Sequence, residues 1–202
     1  MMPLSGMQGR DILVIGDMVA DIYLDGRISR EAPVLVLEQA GEKVVAGGAA
    51  NVVNNIATLG GKVHAVGLVG RDKSADGLRE ILAANGADVR GLIADDSRPT
   101  ISKTRIIAGG RATVSQQIVR IDRESKAPMA PAVEAELRAY IKSILPQRMK
   151  VKLIVVDAFD CEEPPRAVTY YQKEGHISRF CYSPPQCSRV IETVFDEEKD
   201  AD

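Results

Sequence analysis

The 202 residues hold no tryptophan, two histidines and three cysteines. So few cysteines, and an odd number, exclude the disulfide framework of a small secreted domain and fit reduced thiols. Neither sign of charge dominates. The 26 basic residues against 28 acidic ones leave a formal net charge of -2, which excludes the electrostatic footprint of nucleic-acid binding. No apolar run approaches the roughly 20 residues of a membrane-spanning helix, and MMPLSGMQGR at 1–10 has no apolar signal core. The expectation is a cytoplasmic chain with neither membrane nor nucleic acid as partner. Two nucleotide-binding signatures are also missing. GDMVAD at 16–21 lacks the three-glycine spacing through which a pyrophosphate approaches the backbone, and GRDKS at 70–74 separates from its lysine the glycine that a P-loop places directly before it.

What is present is ordinary globular usage, 45% hydrophobic and 27% charged, in a chain long enough for one sizeable domain or one plus a tail. The hydrophobic period switches repeatedly between strand and helix. The apolar run at 12–15 is stopped by Gly16-Asp17 and reads as a buried strand with a tight exit. Residues 34–38, 63–69, 100–108, 115–122 and 151–157 read as further strands from their β-branched content. Helices are expected at about 48–59, 74–84 and 131–145, the last with Val133, Leu137, Tyr140, Ile141 and Ile144 on one stripe. Alternating strands and helices imply a parallel sheet with crossovers, while the neighbouring strand pairs suggest a small antiparallel appendage. Gly109-Gly110 marks a turn or loop within it.

Composition breaks near residue 157. All three cysteines, six of the eight aromatics and four of the ten prolines follow Asp157, but only Gly175 of the 17 glycines does. The chain divides into a body at 1–157 and a tail at 158–202 of different character, expected to be poorly packed. Cys161, His176, Cys181 and Cys187 are four soft ligands, but they lack the C-x-x-C knuckle of structural zinc sites.

Two constellations carry chemistry. Asp17 and Asp21 lie just beyond the first strand's C-terminal end, where ligands bind in parallel sheets. Their carboxylates can accept hydrogen bonds from vicinal hydroxyls, although a turn aspartate that only caps a loop is the alternative for Asp17. The second is GGAANVVNNIATLGG at 47–61, with Gly47-Gly48 at a helix entrance and Asn51 in its first turn. Small residues there let a ligand approach unpaired backbone N–H groups, and Asn51 offers a donor and an acceptor; close packing of helix on sheet explains the same residues. His64 reads as a packed strand residue rather than a catalyst.

GDMVAD at 16–21, SREAPVLVLE at 29–38, the 47–61 segment and VGLVGRD at 66–72 resemble the PfkB or ribokinase-like carbohydrate kinases. Within them SREAPV, TISKTR at 100–105 and QQIVRID at 116–122 look most like the heptose 7-phosphate kinase domain of ADP-heptose biosynthesis. The resemblance covers residues 11 to about 157. It implies an α/β fold in which helices flank a ribokinase-like parallel sheet, with a small β lid built from 34–38 and the strands at 100 and 115. It also implies a sugar or sugar phosphate as substrate, held by Asp21 and the Gly47, Gly48 and Asn51 segment, with Asp17 nearby, and ATP with magnesium as phosphoryl source. Lys103 and Arg105, on alternate residues of one strand, become candidates for a substrate phosphate; solvated edge-strand charges are the alternative. Arg120 and Asp122 share that alternation and suit a lid ion pair.

These kinases place their nucleotide site and catalytic base in a C-terminal half marked by a Gly-Ala-Gly-Asp motif, which is absent from the 202 residues. The nearest string, Gly86-Ala87-Asp88, lies between a helix and a strand in the other half. Phosphoryl transfer depends on positioning and charge stabilisation. The expectation is therefore the sugar-binding half of such a kinase with its C-terminal half missing through truncation or frameshift, catalytically silent alone. A sheet cut at 151–157 would expose that strand's edge and favour self-association.

Overall fold

A computed structural model describes residues 8–30, 34–109 and 114–144 in full, and residues 153–157, 168–173 and 176–180 in backbone only. The 12–15 run forms the centre of β1 (Asp11–Gly16), buried from Ile12 onward. A strand buried on both faces must be apolar throughout, which is why this segment does not alternate. Asp17 alone separates it from β2 (Met18–Arg30), which returns as β3 (Val36–Gly48) and runs directly into α1 (Ala49–Thr58). Next come β4 (Lys62–Val69), α2 (Lys73–Ala84), β5 (Asp88–Ala94), β6 (Ser102–Gly109), β7 (Gln116–Arg123) and α3 (Pro131–Ile144), then β8 (Leu153–Asp157), β9 (Val168–Lys173) and β10 (His176–Phe180).

The strands form two sheets. In the first the order is β10-β9-β8-β1-β4-β5, with β8, β1, β4 and β5 parallel. Val53 and Ile56 of α1 and Leu78 and Leu82 of α2 pack on Ile12, Val14, Val63, Ala65 and Leu92 to make the core. The α3 helix buries Leu137, Ile141 and Ile144, three residues of the expected stripe. Its Tyr140 ring lies where a side chain on Gly91 of β5 would stand, so that glycine is a packing requirement. None of the described helices is long and apolar enough to cross a membrane.

The second sheet has the order β3-β2-β6-β7. It is the expected small appendage, but its two middle strands, β2 and β6, run parallel, flanked by antiparallel pairings with β3 and β7. The reason is topological. Both β2 and β6 start from the C-terminal ends of first-sheet strands, β1 and β5, so both leave in the same direction. The exit at Gly16-Asp17 is thus no turn into a loop; it feeds a 13-residue strand. The strand expected at 34–38 likewise extends to Gly48. Ile22, Val44 and Ala46 turn one face of this sheet onto the core, and Asp21, Tyr23, Lys103, Arg105, Arg120 and Asp122 share the other by register.

One expectation about the tail meets the structure and one falls outside the described residues. The edge of β8 is not exposed: β9 pairs with it antiparallel and β10 pairs with β9. The pairing covers the β8 edge on which edge-to-edge self-association was expected and leaves β10 as the outermost strand on that side. The cysteines of the considered metal set, Cys161, Cys181 and Cys187, lie outside the described residues, as does Gly110.

His64 sits near the start of β4, at the N-terminal end of the parallel strands and far along the sheet from the β1–β2 junction. Its Nδ1 is 3.1 Å from an Asp88 carboxylate oxygen and its Nε2 is 3.7 Å from Asp11. It is a packed strand residue, as expected.

Candidate functional site

Everything at the site depends on how closely α1 meets the β1–β2 junction. The Asp17 carbonyl oxygen accepts a hydrogen bond from the Ala49 N–H at 3.0 Å, stitching the exit of β1 to the first residue of the helix. Gly48, the residue before the helix, adopts φ 53° and ψ -135°, and offers no side-chain cap. A Cβ there would stand 2.7 Å from that same Asp17 oxygen. Only glycine satisfies both the dihedral and the approach. Gly47 is needed for a different reason. A Cβ on it would overlap the carboxylate of Asp21, so the missing side chain makes the space that this carboxylate occupies.

Asp21 is the fourth residue of β2, paired across the sheet with Val45 and Lys103. Asn51 lies exposed in the first turn of α1. Asp17, Asp21, Gly47, Gly48 and Asn51 lie where the N-terminus of α1 meets the junction of the two sheets. Lys103 and Arg105 stand on the neighbouring strand, opposite Asp21 and Tyr23, and do share a face.

Arg105 is not a solvated edge charge. Its guanidinium donates to Asp21 Oδ1 and lies 5.4 Å from the centroid of the Tyr23 ring. Both charged side chains are about one-fifth exposed. The hydrogen bond to Asp21 is the main cause that holds the Arg105 pKa above its ordinary value, against the burial that lowers it. Residues 21 and 105 are 84 positions apart and meet only through the parallel β2–β6 register. The period-two alternation of both strands was the available signal, but not which strand lies beside which. Arg120 and Asp122 do form the bidentate pair that their spacing suggested, at 2.8 and 2.9 Å.

A third aspartate at this end was not anticipated. Asp72 caps α2 by accepting from the Ala75 N–H at 3.1 Å, and also accepts from the Thr100 N–H at 3.0 Å. Burial pushes its pKa up, but the hydrogen bonds from Thr100 and Ala75 outweigh it, and the net direction is down. This carboxylate ties α2 to the segment leading into β6, fixing the root of the strand that carries Lys103 and Arg105.

The chemistry available is recognition. A carboxylate beside a helix entrance accepts hydroxyl donors, and guanidinium and ammonium groups on the same face bind anions. Among the described residues no group of three or more His, Cys, Asp or Glu side chains could hold a metal ion, and the sequence has no P-loop glycine pattern.

Residues 10–163 match the model of the pfkB family carbohydrate kinases, running six residues past the composition break. The bifunctional protein HldE of Citrifermentans bemidjiense is 46% identical over 132 residues, covering 64% of this chain and 26% of that protein. Its counterpart in Helicobacter pylori is 42% identical over 144 residues, covering 70% and 29%. The chain thus spans little more than a quarter of the length of these relatives. A solved structure from Clostridium perfringens, assigned as a sugar kinase, superposes with a TM-score of 0.52 at 18% identity, over 66% of this chain and 41% of that one; it supports the fold alone.

Proposed function

The chain belongs to the pfkB family of carbohydrate kinases, and from that membership we propose that it supplies the acceptor-binding half of a D-glycero-D-manno-heptose 7-phosphate kinase. Asp21 accepts sugar hydroxyls. Gly47 and Gly48 let the sugar reach the N–H groups at the start of α1, Asn51 donates and accepts at the rim, and Asp17 contributes beside them. Lys103 and Arg105 attract the substrate phosphate. The observation that carries this reading is the placement of one carboxylate and two cations on a single face of the second sheet, beside the glycine entrance of α1. The relatives from Citrifermentans bemidjiense and Helicobacter pylori carry the same bifunctional name and lend the heptose class its support.

The family takes its phosphoryl group from ATP, and magnesium accompanies it in this reading; no residue described here is assigned to either. A second reading is favoured by one feature of the sequence. Residues 1–202 contain no Gly-Ala-Gly-Asp, so this polypeptide by itself binds without catalysing, and 158–202 would be a divergent or frameshifted tail. Titration of the whole chain with heptose 7-phosphate, followed by ligand-observed NMR, tests the first reading. Saturable binding is expected, weakened about tenfold or more by Asp21→Asn, because a hydrogen bond to a charged group is worth about 1.5–3 kcal/mol. Absence of saturable binding overturns it. The same sample given ATP and magnesium is expected to show no sugar-dependent turnover, and robust turnover overturns the second reading.

A further inference from the structure

Before any ligand arrives, Asp21 and Arg105 are already partners. The guanidinium bonds one carboxylate oxygen, Oδ1, while the other, Oδ2, occupies the space beside Gly47 that a Cβ would fill. A hydroxyl reaching Oδ2 therefore meets a carboxylate whose charge is shared with a cation, and the hydrogen bond it makes is weaker than one to a free carboxylate. Pulling the carboxylate away from Arg105 to strengthen that bond would leave a guanidinium that is about one-fifth exposed without its anion, which costs more than a neutral hydroxyl returns. A ligand carrying its own anion changes the balance, because a phosphate offers the guanidinium a bidentate, charge-assisted replacement. Tyr23 makes the exchange feasible: with its ring 5.4 Å away, the guanidinium keeps a favourable surface to slide over.

We propose that Arg105 is a specificity-determining residue that muffles Asp21 until a ligand anion draws the guanidinium away, so that phosphorylated sugars are bound and their neutral counterparts are rejected. The inference rests on the reading of Asp21 as acceptor of sugar hydroxyls and deepens it. The two halves of the ligand are coupled through the pair: the phosphate end sharpens the hydroxyl end, and by linkage the reverse holds equally.

The test compares free D-glycero-D-manno-heptose with its 7-phosphate on the full chain, wild type and Arg105→Gln, by ligand-observed NMR titration. The wild type should bind the phosphate about tenfold or more tightly. In Arg105→Gln the phosphate should lose about tenfold while the neutral sugar gains about threefold or more, an opposite movement that neither a plain phosphate ligand nor a structural residue produces. If the phosphate weakens and the neutral sugar is unchanged, Arg105 is only a phosphate contact and the proposal falls. Loss of both sugars, with the unfolding midpoint also lowered, assigns it a structural role and equally overturns the proposal. Should Arg105→Gln not fold, Arg105→Lys carries the test. It keeps the charge that muffles Asp21 but not the bidentate fork, so the neutral sugar should stay weak while the phosphate loses affinity, and a neutral-sugar affinity that rises about threefold or more with the charge kept refutes the exchange. If neither sugar binds the wild type, and Asp21→Asn changes nothing, the sugar-site reading itself has failed and takes the inference with it.

Discussion

The two sheets of this molecule are held by different physics. In the first, β1 is buried at every position from Ile12 to Gly16, and Leu13 and Val14 have no exposed surface at all. In the second, β7 is exposed at every position but Ile118, and what distinguishes its strands is a row of paired charges: Arg105 with Asp21, Arg120 with Asp122. The first sheet is fixed by removing apolar area from water, at about 25 cal/mol per Å²; the second by ladder hydrogen bonds and cross-strand contacts. A sheet that buries both faces has no place for a reactive polar group. A sheet that rests only one face on the core, through Ile22, Val44 and Ala46, can devote the other to ligand chemistry.

Truncating one aliphatic side chain in each sheet region would break that comparison most directly. Leu78 of α2 is wholly buried in the main core, whereas Ile121 of β7 is 54% exposed. Leu78→Ala should cost about 2–5 kcal/mol through lost burial and a residual cavity. Ile121→Ala should cost about 0.5 kcal/mol or less, as surface substitutions do. Urea unfolding of both variants checks this. Similar losses would mean that the outer part of the second sheet is packed against something as extensively as the core is.

A smaller effect separates the regions by pH. Asp88, at the start of β5, is held well below the usual carboxylate range, chiefly by the Arg90 side chain at 2.6 and 2.9 Å and then, against the opposing effect of burial, by the Arg90 N–H and His64. A carboxylate depressed in the folded state binds its proton more readily when unfolded. Its contribution to stability is present above its unfolded value near 3.9 and is lost as pH falls below that toward the folded value. Asp88→Asn should therefore lower stability at pH 7 and flatten the loss of stability as pH falls below about 4. Asp95 and Asp72 are also depressed, so part of the slope should persist. An unaltered acid slope would show that Asp88 does not carry it.

How far the sequence told this in advance also differs between the regions. The runs at 12–15 and 63–69 and all three helices are legible because burial leaves a periodic trace in composition. The second sheet was legible only in pieces. β2 was missed as a strand because GDMVAD carries two aspartates and a glycine, the residues of a turn; yet Ala20, Ile22 and Leu24 alternate with Asp21, Tyr23 and Asp25 on opposite faces of a strand. The polar stretch Gln39–Lys43 hid the continuation of β3. Among the candidate site residues, the glycine pair and Asp21 stand out locally, since each lies in a short motif with a mechanical reason. The contact between Asp21 and Arg105 could not, because strand order across 84 residues is decided by the whole fold. The closing of the β8 edge by β9 was missed for the same reason: the tail's prolines and aromatics announce a change of character and say nothing about pairing.

The smallest effect distinguishes two ion pairs on the same face of the same sheet. Arg120 and Asp122 are neighbours along one strand, and their side chains are 48% and 33% exposed, against 22% and 19% for Arg105 and Asp21. Water and salt screen the first pair, and its geometry, however good, gains little over two solvated charges. The second pair joins different strands and rests on Tyr23, so its attraction works in a less polar setting and its formation reports on sheet assembly. A double-mutant cycle to alanine at Arg120 and Asp122 should therefore give a coupling of about 0.2–0.5 kcal/mol that vanishes in 1 M salt. The cycle at Arg105 and Asp21 should give the larger value and keep part of it in salt. Equal couplings that vanish together would show that the inner pair is as well solvated as the outer one, and that β2 and β6 are held side by side by their backbone ladder alone.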